Sequence, residues 1–429
     1  MKKNDANTRI VFSIRTYALF IFSVLVLVYG LLWARYAMAE RVLRFDPVVA
    51  MNSEFAEVPE AERGWSKMRE ALLAMRDDEP EVADMLREAS RSKVLGFYAG
   101  YVEDLSSEDA LLWPELQSGL ADDLNPDPWD WERSALTISL PHLASLRQAA
   151  MFLKDDALEH GEGGGVENLR AIRRIAGFAS EQPTLINQLV GLAIFSLEAE
   201  TAARMIVQYG SGWSDDTFDQ VHDELELARQ SVKDLNLDGE SILFQDVVQR
   251  VYSDDGSGGG IFMAEPSAWL TGAGGGTLGS SSGLGMFFTI LPKPILSQWM
   301  PDRKATTALY AKLSDEQLQY GSKPMWQRPS DIEFQPTGNL VIDLLLPSVS
   351  KAFDQVHMTR MRLSTVQLVG EAYRVKNRTG KFPEVAPFEV QDCWARGGVN
   401  YEVTDGVLEI RSLGPDQNEL VMFPPPSED

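Results

Sequence analysis

The chain of 429 residues has one cysteine, Cys393, and only four histidines. An internal disulfide is therefore excluded, and the fold must rest on its buried core. A lone thiol reads first as a small apolar core residue, because a nucleophilic role needs a nearby base that the sequence does not show. His142, His160, His222 and His357 are widely spaced. None forms the H-x-x-x-H or H-E-x-x-H pair that a helix would turn to one face, which excludes the common helical zinc motifs. Basic residues are scarce as well: 39 Lys and Arg stand against 63 Asp and Glu, a formal net charge of −24. Beyond residue 45 the balance is 32 basic to 61 acidic. A body this acidic repels nucleic acid and anionic lipid, so no nucleic-acid partner is expected.

Charge is also missing from Thr16 to Ala34, nineteen residues in a row. That run is close to the roughly 20 apolar residues needed to cross a bilayer. Tyr17, Tyr29 and Trp33 suit headgroup level, and Arg15 and Arg35 mark the two edges. Residues 16–36 are read as a transmembrane helix with the lipid bilayer as partner, and 1–15 as a short cytoplasmic tail. Lys2, Lys3, Arg9 and Arg15 precede the span while Arg35, Arg41 and Arg44 follow it, so flanking charge favours this orientation only slightly. A short basic tail before a single span and a long body fits a signal anchor, with the body outside the cytoplasm. Cleavage after Ala37-Met38-Ala39 is the rival, but secretory apolar regions usually run about 7 to 15 residues.

The composition, 44% hydrophobic and 24% charged, is that of a globular chain. The expected fold is mainly α, with a solenoid-like helical body over 46–252. Apolar residues at three and four spacing mark helices at Trp65, Met68, Leu72 and Met75, and at Leu143, Leu146, Ala150 and Leu153. Further faces lie at Leu169, Ile172, Ile175 and Ala176, and at Leu185, Leu189, Leu192 and Leu197. The run His160 to Gly165 is expected to separate one helix pair, and Pro183 to open the next helix. Helices are also expected over about 215–233 and 241–252. A Gly/Ser-rich linker spans 253–286, and a helical connection spans 287–347, with Phe287 to Trp299 taken as core and a helix over 303–320.

Within the linker, Gly274 to Gly279 formally matches a dinucleotide-binding pattern and Gly279 to Gly283 a nucleophile elbow. Both need a preceding strand and a following helix, and in a Gly/Ser tract both arise from composition. Asp254-Asp255-Gly256 lacks the alternating ligands and the glutamate of a calcium loop, so it reads as a turn. Asp122, Asp123, Asp130 and Glu132 read as surface charge around Trp129 and Trp131. No catalytic residue is expected. An enzyme would need groups gathered from distant positions, such as carboxylates near His142 or His222.

The end of the chain, 348–423, reads as a small α+β unit: one long helix over 348–377, stopped at Thr379 to Pro383, then short strands over 400–403 and 407–412 joined at Thr404-Asp405-Gly406. Tyr373, Gly380, Phe382-Pro383, Asp392 to Gly397, Asn400-Tyr401, Gly406 and Ser412 to Asp416 resemble the C-terminal half of the major pseudopilin of type II secretion systems. The resemblance covers about 60 residues and implies a helix packed on a small antiparallel sheet. It also implies a calcium ion held by the main chain at Leu413 and the carboxylate of Asp416. Cys393 and Ala395 stand where that family has proline and glycine, the acidic loop is shortened to Gln417-Asn418-Glu419, and the N-terminal processing site is missing. The whole arrangement resembles a family of bacterial membrane proteins, frequent in planctomycetes, that join "EQPTLINQLVG"-like and "VYSDDG"-like stretches to such a unit. Glu181 to Gly191 and Val251 to Gly256 are those stretches here.

The expectation is a non-catalytic scaffold or protein-binding protein, anchored by one span in the bacterial inner membrane with its body among envelope partners. The alternatives are a secretion or pilus subunit that docks a pseudopilin-like partner, and an extracytoplasmic enzyme.

Overall fold

The computed structural model describes residues 4–118, 133–263, 293–328, 337–345, 349–414 and 420–423. The acidic group around Trp129 and Trp131, the Gly/Ser tract over 272–285 with its two pattern matches, and Asp416 lie outside the described residues. Fourteen α-helices and one three-stranded antiparallel sheet make up the described chain.

Helix α1 (Asn4–Met38) has 35 residues, about 52 Å at 1.5 Å per residue. Its segment Leu19–Met38 has a mean hydropathy of 1.9 and is not buried by the rest of the chain, so it is long and apolar enough to cross a membrane. Short α2 (Pro47–Met51) follows, with the Asp46 carboxylate accepting from the Val48 and Val49 amides. This is an acidic cap with proline at the first turn.

The body is built on α3 (Trp65–Arg76), α4 (Val82–Ser90), α5 (Pro114–Ser118), α6 (His142–His160), α7 (Glu162–Ala179), α8 (Leu185–Tyr209) and α9 (Asp215–Ser231). The glycine run expected to separate α6 from α7 does so at one residue. Gly161 takes φ +59° with a Tyr209 ring against it, and α7 then runs through Gly163 to Gly165. A Cβ at Gly165 would overlap the end of the Met205 side chain of α8, which fills the space that this glycine leaves. Thr184 caps α8 by accepting from the Asn187 amide.

Next come α10 (Asp238–Val251), α11 (Lys293–Trp299), α12 (Arg303–Gly321), α13 (Leu340–Leu345) and α14 (Ser350–Thr379). The long α14 buries Phe353, Val356, Met361, Leu363, Val366, Leu368 and Ala372. Apolar residues on several sides suit a helix held between neighbours, here α8, α9 and the sheet. It stops where expected, at Gly380 in the left-handed region with φ +80°. Strands β1 (Asn400–Thr404) and β2 (Val407–Ser412) form a hairpin, with Asp405 and Gly406 at φ 53° and 79° in its two-residue turn. A third strand, β3 (Leu420–Phe423), was not expected, and it joins β2 across a bulge at Ile410/Arg411.

One apolar core runs from Met68 to Phe423, so α14 and the sheet share it with α3, α4 and α6 to α9. A second, smaller core gathers Phe244, Val247, Val251, Tyr252, Phe262, Tyr310, Val341 and Ile342, with the Phe244 and Tyr310 rings stacked at 3.7 Å.

Polar bonds join α1 to this smaller unit. Arg35 donates to the Gln298 side chain at 3.0 Å, Tyr36 to the Met263 carbonyl at 3.3 Å, and Arg41 to the same carbonyl. The Arg44 and Phe45 amides both donate to Gln249, which donates back to the Phe45 carbonyl. Helix α11 packs along α1. The end of the Phe287 to Trp299 stretch thus lies against the apolar helix, and Trp299 is 68% exposed.

Candidate functional site

A cleft of about 760 Å³ opens between α9, α14 and the loop 388–397. Its volume lies in the range of ligand sites. Helix α14 contributes His357, Arg360, Met361, Ser364 and Gln367 along one side, because residues three and four apart share a helix face. Glu226 and Arg229 of α9 face them, and Trp326, Phe388 and Cys393 close the ends.

Most of its charges are already committed. Arg229 donates to both oxygens of Glu226 at 2.8 and 2.6 Å, which holds that carboxyl down at about 2. Arg360 donates to the Val232 carbonyl and to Asp234. The guanidinium of Arg396 lies 4.7 Å from the Trp326 ring centre, a cation–π contact at the mouth. His357 has its Nε2 3.3 Å from the Gly321 carbonyl, and burial pushes its pKa down, so it is neutral near pH 7. Burial and, after it, Asp392 push the Cys393 thiol up to about 12. A thiol so raised carries almost no thiolate at neutral pH, so Cys393 packs against the core.

Asp392, which lines this cleft, gathers three groups of the chain that follows it. Asp392, 2% exposed, accepts from the Trp394 amide at 2.8 Å and from the Ser412 hydroxyl at 3.0 Å through one oxygen, and from the Leu413 amide at 2.8 Å through the other. It ties the 392–397 loop to the end of β2. Leu413, expected to offer its main chain to calcium, is thereby bound through its N–H to Asp392. Among the described residues no three His, Cys, Asp or Glu side chains gather as metal donors, at Leu413 or elsewhere.

The other histidines stay apart. His142 is wholly buried against Phe97 with ring centres 4.1 Å apart, and burial pushes it down to about 3. His160 pairs with Asp156, and His222 lies 3.8 Å from Asp223 on the surface.

Both stretches singled out in sequence act as clasps. The Glu181 carboxylate accepts the Leu95 and Gly96 amides, and Gln182 donates to the Phe97 carbonyl. Pro183 accepts from the Gly239 amide, and Asn187 donates to the Ala179 carbonyl and to Gln182. The second stretch holds the chain leaving α1. The Asp254 carboxylate lies 3.6 Å from Arg44 and 3.5 Å from Arg303, and its amide donates to the Glu40 carbonyl. Asp255 accepts from the Ser257 and Gly259 amides, which lowers its pKa. Sequence reasoning reads Asp254 to Gly256 as a turn. The ion pairs with residues some 50 to 200 positions away carry no local signal.

Searches with protein-family models, curated proteins and solved structures find no match to this chain.

Proposed function

We propose that this is a membrane-anchored scaffold or binding protein of the bacterial envelope, its body extracytoplasmic and held close to the bilayer. The observation that carries the reading is the joint between α1 and the body. Arg35 and Tyr36 lie on the helix side of the Ala39 position, and both bond to the body. Glu40, Arg44 and Phe45 continue the contact without a free stalk. Such a joint suits a retained anchor rather than a cleaved leader. The solenoid-like description applies to the stacked α6 to α9 region, whose one-residue link between α6 and α7 makes antiparallel neighbours. Docking of a pseudopilin-like partner through the C-terminal unit is the second reading, supported by the outer edge of β3, which pairs with no other described strand.

The test is fractionation and protease access in whole cells and spheroplasts, with a C-terminal tag. Carbonate-resistant membrane pelleting, with the body digested from outside, is expected. A body that is cleaved only after lysis refutes the orientation, and a soluble, shortened chain refutes the anchor. Asp254→Asn weakens the pairs to Arg44 and Arg303, and it should speed proteolysis between residues 40 and 46 by about tenfold through local opening.

A further inference from the structure

A second groove, about 570 Å³, lies on the opposite side of α14 from the cleft described above, bounded by α6, α8, α14 and β3. Its floor is apolar, with Met151, Ile194, Leu197 and Val366. Three arginines line it: Arg147, Arg204 and Arg362. Arg204 is held by Glu200 at 3.1 Å, and Glu200 is shared with Lys154 at 3.2 Å. Arg147 and Arg362 form no ion pair among the described residues. In a chain of net charge −24 this is a local excess of positive charge, which favours an anionic occupant.

The fourth wall decides the shape of that occupant. Leu420, Val421 and Met422, three successive residues of β3, all line the groove. Successive strand side chains point to opposite faces, so a cavity touching all three meets the strand at its edge. In the sheet order β1-β2-β3, strand β3 has only β2 beside it. Its outer backbone groups make no hydrogen bond to another described residue. An unpaired edge of this kind accepts one further strand, with main-chain bonds giving affinity and alternate side chains giving selectivity.

We infer that this groove binds an extended, acidic peptide segment of a partner protein, added as a fourth strand to the β3 edge. Carboxylates of the segment reach Arg147 and Arg362, and its apolar side chains on the same face lie on the Leu197 and Val366 floor. The inference rests on the binding-protein reading above and gives it a partner chemistry. An anionic acyl chain would also fit the arginines and the floor, but it would leave the strand edge unused.

The test is hydrogen exchange on the full-length protein in detergent. The probe is a pool of acetylated hexapeptides combining glutamate with valine, leucine, isoleucine or phenylalanine in mixed order. The amides of 420–423 should slow by about tenfold or more, and a matching lysine pool should have no effect. N-methylation of one alternate set of peptide amides should abolish the protection while the other set is tolerated. Arg362→Glu should abolish it as well, with tryptophan emission unchanged to show an intact fold. The absence of protection by the glutamate pool overturns the inference. So does equal protection by the lysine pool, or protection by oleate that depends on Arg362 and that peptides do not compete away. None of these outcomes touches the anchor, because α1 takes no part in the groove and membrane pelleting reports on it separately.

Discussion

Glu198 lies in α8 with its side chain fully buried, and neither carboxyl oxygen has a hydrogen-bond partner among the described residues. Burial dominates and pushes its pKa well above the ordinary carboxylate range, with Arg173 opposing and Glu224 adding to the rise. The group therefore keeps its proton to higher pH in the folded protein than in the unfolded chain. Glu198→Met keeps the length and removes the polar end. An unpaired buried polar group costs about 1–3 kcal/mol, so the variant should be more stable by about that amount at low pH. The gap should then widen with pH. Both states hold the proton below about 4.3, and above it the unfolded chain releases its proton while the folded chain does not. The folded protein thus loses stability, relative to the variant, as pH rises towards the folded pKa, by up to about 1.4 kcal/mol per unit. Glu181, which burial pushes up to about 7, contributes the same trend to both proteins and cancels in the difference. Urea unfolding of the detergent-solubilised full chain, followed by tryptophan fluorescence at pH 4.5, 5.5 and 6.5, gives the gap at each pH. A Met variant less stable than the parent, or a gap independent of pH, would show that Glu198 is ionised and held by Arg173, and the reasoning would fail.

Three further outcomes follow from single contacts. Gly239→Ala places a Cβ against the Thr184 and Pro183 backbone, which cannot rotate away, so a loss of about 1–3 kcal/mol in urea unfolding is expected. Asp392→Ala orphans the Trp394 and Leu413 amides and the Ser412 hydroxyl. It should cost about 2–5 kcal/mol and speed hydrogen exchange at 393–413 before the helical body is affected. With its thiol pushed up to about 12, Cys393 should react with N-ethylmaleimide at pH 8 about 100-fold more slowly in the native protein than in urea. A native rate within tenfold of the unfolded rate would place the thiol in open solvent.

Helices were legible where apolar residues recur at three and four spacing. The four buried residues Leu143, Leu146, Ala150 and Leu153 were read from sequence and all lie in the core. The hairpin at Asp405-Gly406 was legible because its turn requires positive φ, which that pair tolerates. Strand β3 was not, because four residues followed at once by Pro424-Pro425-Pro426 read as a tail, and only the pairing partner makes them a strand. The break between α6 and α7 was legible in the glycine run, but not its length: only Gly161 makes it, and residues 163–165 continue α7 against their own low propensity. The main cleft had no sequence signature, since Glu226, Trp326, Arg360 and Arg396 come from four segments. Asp392 and Asp254 were visible as conspicuous residues in quoted stretches, but their bonds reach distant segments.

The placement of charge explains why the joint at the end of α1 is built as it is. On the proposed topology, a body with 32 basic and 61 acidic residues stands next to anionic headgroups and is repelled over a Debye length of about 8 Å. A flexible stalk would let that repulsion hold the body away. Instead, Arg35, Arg41 and Arg44 cluster in sequence about the end of α1, around the single acid Glu40, and Arg44 shares the carboxylate of Asp254 with Arg303. On the proposed topology these cations would lie between the two negative surfaces and lower the repulsion there. The directional bonds to Gln249 and to Met263 then fix the distance. Neither half suffices alone: the cations remove a penalty without setting a position, and the neutral bonds set a position but are each worth only about 1 kcal/mol. Reversing Arg44 to Glu should loosen the joint more in vesicles containing anionic lipid than in neutral ones, and a purely structural pair with no role in membrane approach would show no such difference.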